Sequence, residues 1–220
     1  MSSLLERHFL HRGCGAEFEM EAAWIARHLP HGPALIVDVG CGNGALFDVI
    51  GQGRVIGVDH LADGLAHTRD RFAEVPLVCA DARHLPFSNA ALDVITSQHV
   101  LEHLPAFEAA CRDWMRVLKP GGRLLLLTPN RSFRDPSVYD DDSHVHIFAK
   151  SDLRRVLLRV GFHILDLRTL GLPWFRNYGR VPGAWRFRRF VTRRAIGLSR
   201  VPPWRWRGQT LCCAAGRPTN

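Results

Sequence analysis

Residues 35–44 read Leu-Ile-Val-Asp-Val-Gly-Cys-Gly-Asn-Gly, an apolar run with one acid that ends in three alternate glycines. Residues 35–39 are too few and too rich in β-branched side chains for a helix, so they predict a buried strand. The glycines permit a sharp turn and let a ligand contact the backbone, because glycine has no Cβ. Residues 45–50 predict a helix whose first N–H groups face an anionic ligand. The stretch indicates a loop that binds a nucleotide-type cofactor.

Further apolar runs follow this loop at intervals that suit alternating strands and helices. The runs are residues 54–59, 76–82, 91–97 and 123–128. The first of them ends in Asp59 and the second contains Asp81, while Pro-Gly-Gly at 120–122 separates a helix from the last. Such alternation predicts a parallel sheet with right-handed crossovers. An acid after the second strand can accept hydrogen bonds from both hydroxyls of a ribose.

The glycines are spaced G-x-G-x-G, whereas a dinucleotide site has G-x-G-x-x-G. Together with the ordered strands, this pattern resembles the class I S-adenosylmethionine-dependent methyltransferases over residues 30–170, in the branch with small-molecule, quinone-precursor or lipid-like acceptors. The resemblance implies S-adenosylmethionine as the cofactor. It implies an α/β fold with a doubly wound, seven-stranded, mostly parallel sheet, helices on both faces and an antiparallel last strand beside the fifth. The cofactor-binding residues that it implies are Asp38, Gly40, Cys41, Gly42, Gly44, Asp59, His60, Asp81, Ala82 and Gln98.

The length of 220 residues allows one full hydrophobic core, so we expect a single domain over residues 1–220. Residues 1–30 form a predicted N-terminal helical cap, with a helix over 17–29 that packs across the sheet or covers the cofactor. Other helices are predicted at 63–72, 106–118 and 151–160, the last with a Ser/Asp cap and a Gly161 stop. The sixth and seventh strands are predicted at 162–169 and 209–215.

Residues 171–207 form a predicted basic aromatic insertion before the last strand. The net charge of +8 is concentrated near it, since residues 167–220 contain 12 arginines and no Asp or Glu. A helix over 183–199 would be basic and amphipathic, flanked by tryptophans at 174, 185, 204 and 206. This composition is typical of a segment on an anionic membrane surface. A cover over the substrate pocket with a solvated basic face is the alternative.

From the sequence we expect neither a membrane-spanning segment nor a secretion signal. No stretch reaches the roughly eighteen uninterrupted apolar residues of a membrane span, and the first residues lack the apolar core of a signal peptide. The six cysteines include no C-x-x-C pair, so they indicate neither a zinc site nor a disulfide framework. We therefore expect a cytoplasmic protein that residues 171–207 hold peripherally on the inner face of the membrane.

Methyl transfer from a sulfonium depends mainly on positioning, because the methyl carbon is already electrophilic and the leaving thioether is neutral. A hydroxyl acceptor also needs a base, and histidine suits this role near neutral pH. The candidates are His99, just after the fourth strand, and the pair His144 and His146. Residues 144–148 alternate as a strand would, so both imidazoles are expected on one side. The alternative for each candidate is a structural role in a cap or a loop.

Glu102 and His103 raise the question of a metal. Some quinone-precursor O-methyltransferases that resemble this chain bind a divalent ion with such a pair, whereas most members of the family carry it without metal. Adjacent helical residues point apart, so a site would need further ligands from the acidic loop at 132–143 or from His146. We predict no metal.

Three functions are compatible with the sequence. The first is methyl transfer to a hydroxyl, or less readily to carbon or nitrogen, of an apolar or lipid-linked small molecule. The second is an RNA methyltransferase with the arginine-rich segment as a clamp, because cationic grooves with stacking aromatics bind single strands. It is disfavoured because residues 128–131 lack the acceptor motif of enzymes that methylate base amines. The third is a non-catalytic scaffold that binds the cofactor.

Overall fold

The computed structural model describes residues 16–133, 142–170 and 209–219. The predicted features at 1–15 and 171–207, the amphipathic helix over 183–199 among them, lie outside these ranges. The elements in chain order are α1 (Ala16–His28), β1 (Ile36–Val39), α2 (Phe47–Ile50), β2 (Val55–Asp59), α3 (Ala62–Arg71), β3 (Leu77–Cys79), β4 (Leu92–Gln98), α4 (Phe107–Val117), β5 (Leu118–Pro129), α5 (Lys150–Val160), β6 (His163–Leu170) and β7 (Thr210–Gly216), with short 3-10 turns at Gln52–Arg54 and Leu101–His103.

The strands form one sheet in the order β3-β2-β1-β4-β5-β7-β6. The pairs β1 with β2, β1 with β4, β2 with β3 and β4 with β5 are all parallel. The last strand, β7, is antiparallel to both of its neighbours, β5 and β6. The predicted fold class and the position of the last strand beside the fifth are confirmed.

Two hydrophobic clusters cover the two faces of the sheet. Along β5 the buried leucines alternate, so that Leu124 and Leu126 join one cluster while Leu125 and Leu127 join the other. Helices α4 and α5 pack on the first face, and α1, α2 and α3 contribute to the second. The buried Trp24 and Ile25 make α1 part of the core of the second face rather than a loose cover.

Four local predictions are corrected. The helix predicted at 45–50 is the single turn α2. Strand β5 begins at Leu118 and runs through Pro-Gly-Gly, where Gly121 has a φ of +78°. Residues 144–148 form no strand and make one isolated bridge, between Phe148 and Asn130. Helix α5 begins after Ala149, whose N–H donates to Asp152, so the cap is not at Ser151, whereas Gly161 ends the helix as predicted.

The described residues contain no helix long and apolar enough to cross a membrane.

Candidate functional site

The glycine loop turns between β1 and α2, at the carboxyl edge of the sheet. Gly40, Gly42 and Gly44 have φ values of +72°, +50° and +73°, the left-handed region that favours glycine. A Cβ on Gly40 would overlap Cγ2 of Val100, and a Cβ on Gly44 would lie 2.7 Å from the ring of Phe72. The backbone conformation therefore favours glycine at all three positions, and the space around the backbone also requires it at Gly40 and Gly44.

Neighbouring elements fix the backbone of this loop. The N–H groups of Gly40 and Cys41 donate to the carbonyl of Val58 at 2.7 and 3.0 Å, and the Thr68 hydroxyl donates to the carbonyl of Gly42 at 2.6 Å. Helix α2 is only four residues long, so it offers few free N–H groups to an anion, and the contact of an anionic ligand with the start of this helix stays a prediction. The Cys41 thiol is buried, and burial raises its pKa.

Asp59, at the end of β2, receives hydrogen bonds from both sides of the loop. Its carboxylate accepts from the N–H of Gly42 at 2.9 Å and from the N–H of Leu61 at 3.0 Å, and Nδ1 of His60 lies 3.4 Å away. Burial opposes the charge, but the hydrogen bonds from His60, Leu61 and Gly42 lower the pKa of Asp59. Asp59 is therefore a fixed anion. It retains lone pairs that could accept from ribose hydroxyls.

Asp38 and Asp81 have different surroundings. Asp38 is buried in β1 and accepts a hydrogen bond of 2.7 Å from the Thr96 hydroxyl. Asp81 is half-exposed and pairs with Arg83 at 2.6 Å, and the hydrogen bonds from Arg83 lower its pKa to about 2. The carbonyl of Ala82, the next residue, accepts from the indole of Trp114 at 2.8 Å. In this arrangement a ligand that contacts Asp81 competes with Arg83.

The end of β4 carries a cluster of charged side chains that includes a residue the sequence did not identify, Glu21 of α1. Glu21 is buried and accepts hydrogen bonds from Gln98 at 2.6 Å and from Thr210 at 2.6 Å. Nε2 of His99 lies 3.2 Å from both oxygens of Glu21, and its Nδ1 lies 3.4 Å from Glu102. His99 is thus held between two carboxylates from different elements.

These contacts change the charge state of the imidazole. Burial disfavours the cation, but the charges of Glu21 and Glu102 and their hydrogen bonds outweigh it and raise the pKa of His99 to about 10. Near neutral pH the ring is an imidazolium, which has no lone pair with which to accept a proton. The surroundings of His99 therefore disfavour the predicted role as base and suit a hydrogen-bond donor.

The other two histidine candidates lie next to the turn that follows β4. The N–H groups of Val145 and His146 donate to the carbonyl of Glu102 at 2.9 and 3.0 Å. The His144 ring lies 4.9 Å from the His103 ring, whereas the His146 ring meets that of Phe107 edge-on at 4.7 Å. The two imidazoles thus contact different neighbours. Each is half-buried, and their catalytic roles stay predictions.

Glu102, His103 and His144 are the described residues that come closest to a metal-binding group, with candidate ligand atoms within 4.8 Å of one another. Thr128 donates to Oε2 of Glu102 at 3.0 Å, and Nδ1 of His103 lies 3.0 Å from the carbonyl of Ser143. The backbone carbonyl fixes Nδ1 of His103 as a donor. His146, the further ligand considered above, lies outside this group. The absence of a metal remains a prediction.

A groove of about 620 Å³ lies at the opposite, amino edge of the sheet, beside Leu35, Val55 and Pro76. In open α/β sheets ligands bind outside the carboxyl ends of the strands, so the candidate site is at the glycine loop and not in this groove.

The charge of His99 predicts how stability depends on pH. Its pKa is raised in the folded protein from an ordinary 6.5, so the stabilisation is complete below about pH 6.5 and is lost as the pH rises toward 10. We expect the free energy of unfolding to fall over this range by on the order of 1–3 kcal/mol. Urea unfolding at pH 6.5, 8 and 10 measures it. His99→Asn, which tolerates the left-handed φ of +55°, is the control and should flatten the dependence. Equal pH dependence in both proteins would contradict the assignment.

Residues 37–126, which include the glycine loop, are similar in sequence to known proteins. A family model described as a methyltransferase domain matches residues 37–126. A probable S-adenosylmethionine-dependent methyltransferase of Mycolicibacterium smegmatis is 33% identical over 141 residues, 62% of this chain and 54% of that protein. A ubiquinone biosynthesis O-methyltransferase of Coxiella burnetii is 31% identical over 106 residues, 45% of each chain. The chain therefore spans about half the length of these curated relatives.

Among solved structures, a possible histamine N-methyltransferase from Thermotoga maritima has the same fold. The TM-score is 0.69 at 18% identity, and the superposition covers 96% of this chain and 94% of that chain.

Proposed function

The chain belongs to the class I S-adenosylmethionine-dependent methyltransferases, and we propose that it transfers a methyl group from S-adenosylmethionine to a hydroxyl group of an apolar or lipid-linked small molecule. The matched methyltransferase domain and the S-adenosylmethionine-dependent relatives confirm the predicted class I family and its cofactor, and they favour an enzyme over a non-catalytic scaffold. The observation that carries the hydroxyl acceptor is the half-buried His144, which lies beside His103 and Glu102 of the turn that follows β4.

The residues that fit the cofactor are those of the glycine loop and the strand ends. Gly40 lies so close to Val100 that any side chain at this position would overlap it and displace the loop. Asp59 is held as an anion next to Gly42, in the position where a carboxylate accepts from ribose hydroxyls. S-adenosylmethionine, when bound, supplies a methyl group on a positively charged sulfur. The protein then has to position the acceptor oxygen and remove its proton.

We assign the removal of this proton to His144, with His146 as the second candidate. Glu102 is a buried carboxylate, and its ligand atoms lie within 4.8 Å of the candidate nitrogens of His103 and His144, so the imidazole of His144 lies beside a charged group after β4. His146 contacts the rings of Phe107 and Phe148 instead, so it suits contact with an apolar acceptor. An oxygen acceptor is supported by the Coxiella relative, whose name describes an O-methyltransferase of ubiquinone biosynthesis.

The proposed partner of residues 171–207 is an anionic membrane surface. Two observations support it: the segment has ten arginines and no acid, and it joins strands that meet at the site. Leu170 at the end of β6 pairs with Thr210 at the start of β7, which in turn pairs with Pro129 at the end of β5. The two strand ends that flank the segment, Leu170 and Thr210, therefore lie at the carboxyl edge of the sheet. An acceptor held in a membrane would reach the site there, with the protein attached to the inner face.

One experiment tests the acceptor and the membrane together. The protein is incubated with methyl-labelled S-adenosylmethionine and a cell extract, and the label is measured in lipid, polar-metabolite and RNA fractions. We expect label in the lipid fraction. We also expect flotation with anionic but not neutral vesicles, lost on Arg186, Arg189 and Arg193→Glu, because exposed charges attract over roughly 8–10 Å in physiological salt. Label confined to RNA, without vesicle binding, would favour the RNA methyltransferase.

A further inference from the structure

Glu21 is a buried charge at the junction of three elements. Its side chain projects from α1 and is 5% exposed, close to Trp24 and Ile25 of the same helix, which belong to the core. Burying a carboxylate costs free energy unless hydrogen bonds compensate it. Here Gln98 at the end of β4 and Thr210 at the start of β7 each donate at 2.6 Å. One carboxylate therefore joins the first helix to the central and the last strands.

The third partner of Glu21 is His99, which has an unusual backbone. His99 has a φ of +55°, uncommon for a residue with a side chain, and its N–H donates to the carbonyl of Leu127 at 2.9 Å. Both ring nitrogens face carboxylates, Nε2 toward Glu21 and Nδ1 toward Glu102. Because carboxylates only accept, this arrangement needs a hydrogen on each nitrogen. The two acids thus hold the ring from both sides.

Glu102 is the less satisfied of the two acids. It is fully buried, and it has two side-chain partners: Thr128 donates to Oε2 at 3.0 Å, and Nδ1 of His99 lies 3.4 Å from Oε1. Glu21 has three donors around it, so it is the member of the pair that fixes the orientation of His99. Glu21, His99 and Glu102 together carry a net charge of −1 at the end of β4. A negative cluster at this edge attracts a cationic ligand such as S-adenosylmethionine, which carries a sulfonium and an ammonium group.

We propose that Glu21 is a positioning residue of the methyl-transfer site: it fixes Gln98 and His99 at the end of β4, so that α1 and β7 complete the cofactor side of the site. The proposal rests on the proposed function, because it assigns Glu21 to that same site. Glu21 acts through Gln98 and His99 and needs no contact with the cofactor. A helix that packs on the sheet thereby sets the geometry of two residues far from it in the sequence.

The test compares Glu21→Gln with Glu21→Ala and with a matched control. Glutamine keeps one oxygen that accepts from Thr210 or Gln98, so α1 stays docked, but it loses the charge that His99 faces. Glu19→Gln is the control, because it removes an exposed acid from the same helix. Three quantities are measured: the unfolding temperature, the affinity for S-adenosylmethionine by calorimetry, and the ring ¹⁵N shifts of His99 between pH 6 and 10, assigned with His99→Asn.

We expect Glu21→Gln to unfold near the wild-type temperature, to bind S-adenosylmethionine about tenfold more weakly, and to lose the proton of His99 at lower pH. Glu21→Ala should show the same changes with a lower unfolding temperature, and Glu19→Gln should match the wild type. A Glu21→Gln variant with wild-type affinity and wild-type His99 shifts would overturn the proposal. A wild-type protein that binds no S-adenosylmethionine would overturn the proposed function instead, and the His99 shifts would still decide whether Glu21 holds the ring.

Discussion

Replacing Gly40 by alanine is expected to lower the free energy of unfolding by about 2–5 kcal/mol and to weaken the binding of S-adenosylmethionine at least about tenfold. Two effects add. The φ of +72° is strained for any residue with a Cβ, and that Cβ would overlap Cγ2 of Val100, a short branched side chain that cannot swing away. Relief requires the loop to move, and the loop is the predicted cofactor site.

The measurements for Gly40→Ala are urea unfolding and calorimetry with S-adenosylmethionine. Gly53→Ala is the matched control: it lies in the 3-10 turn before β2, and an added Cβ there meets nothing within 4 Å. Gly42→Ala separates the two effects, because its φ is +50° but the space around its Cβ is open. We expect Gly42→Ala to fall between the other two. A Gly40→Ala protein with normal stability and affinity would show that the loop adapts.

The second large effect is expected on turnover. His144→Gln should lower the rate of methyl transfer about 10²–10⁴-fold and leave the affinity for S-adenosylmethionine unchanged, because glutamine cannot accept the proton of a hydroxyl. The rate is measured on the cell-extract fraction that the wild-type protein labels. His163→Gln is the control, since His163 is exposed at the start of β6, at the amino edge of the sheet.

The rate of methyl transfer by His146→Gln is measured in the same assay as that of His144→Gln. A large loss in this variant with a normal rate in His144→Gln would reassign the base to His146. Normal rates in both single variants and in the double variant would leave positioning as the sole source of catalysis.

The fold and the glycine loop at the carboxyl edge of the sheet could be predicted from the sequence because their signals are local. A short β-branched run, glycines at alternate positions and an acid at a strand end each lie within about ten residues, and parallel strands bring their carboxyl ends to one edge. Asp38, Asp59 and Gly40 were identified in this way. Their positions in the structure follow from the topology of the sheet.

The part that was missed depends on contacts between distant residues. Glu21 and Thr210 are 189 positions apart, and no local pattern pairs them. A signal was present, since Glu21 lies four residues before the buried Ile25 and so shares its helical face, where an acid is out of place. The prediction of a strand at 144–148 was wrong. Alternating side chains indicate an extended backbone, but they do not show whether a neighbouring strand pairs with it. Here the partner is the carbonyl of Glu102, which takes the N–H groups of Val145 and His146 that a ladder would need.

The position of β7 affects the order in which the chain can fold. Strand β6 joins the sheet only through β7 in the described part of the chain, although β7 follows it by some forty residues. While the chain is being synthesised, β1 to β5 can pair as soon as they emerge, but β5 keeps an open edge and β6 has no place in the sheet. Pairing of residues 210–216 with β5 closes that edge, and it brings together two strands that are far apart in the sequence. We therefore expect this step to be slow compared with the formation of the first five strands.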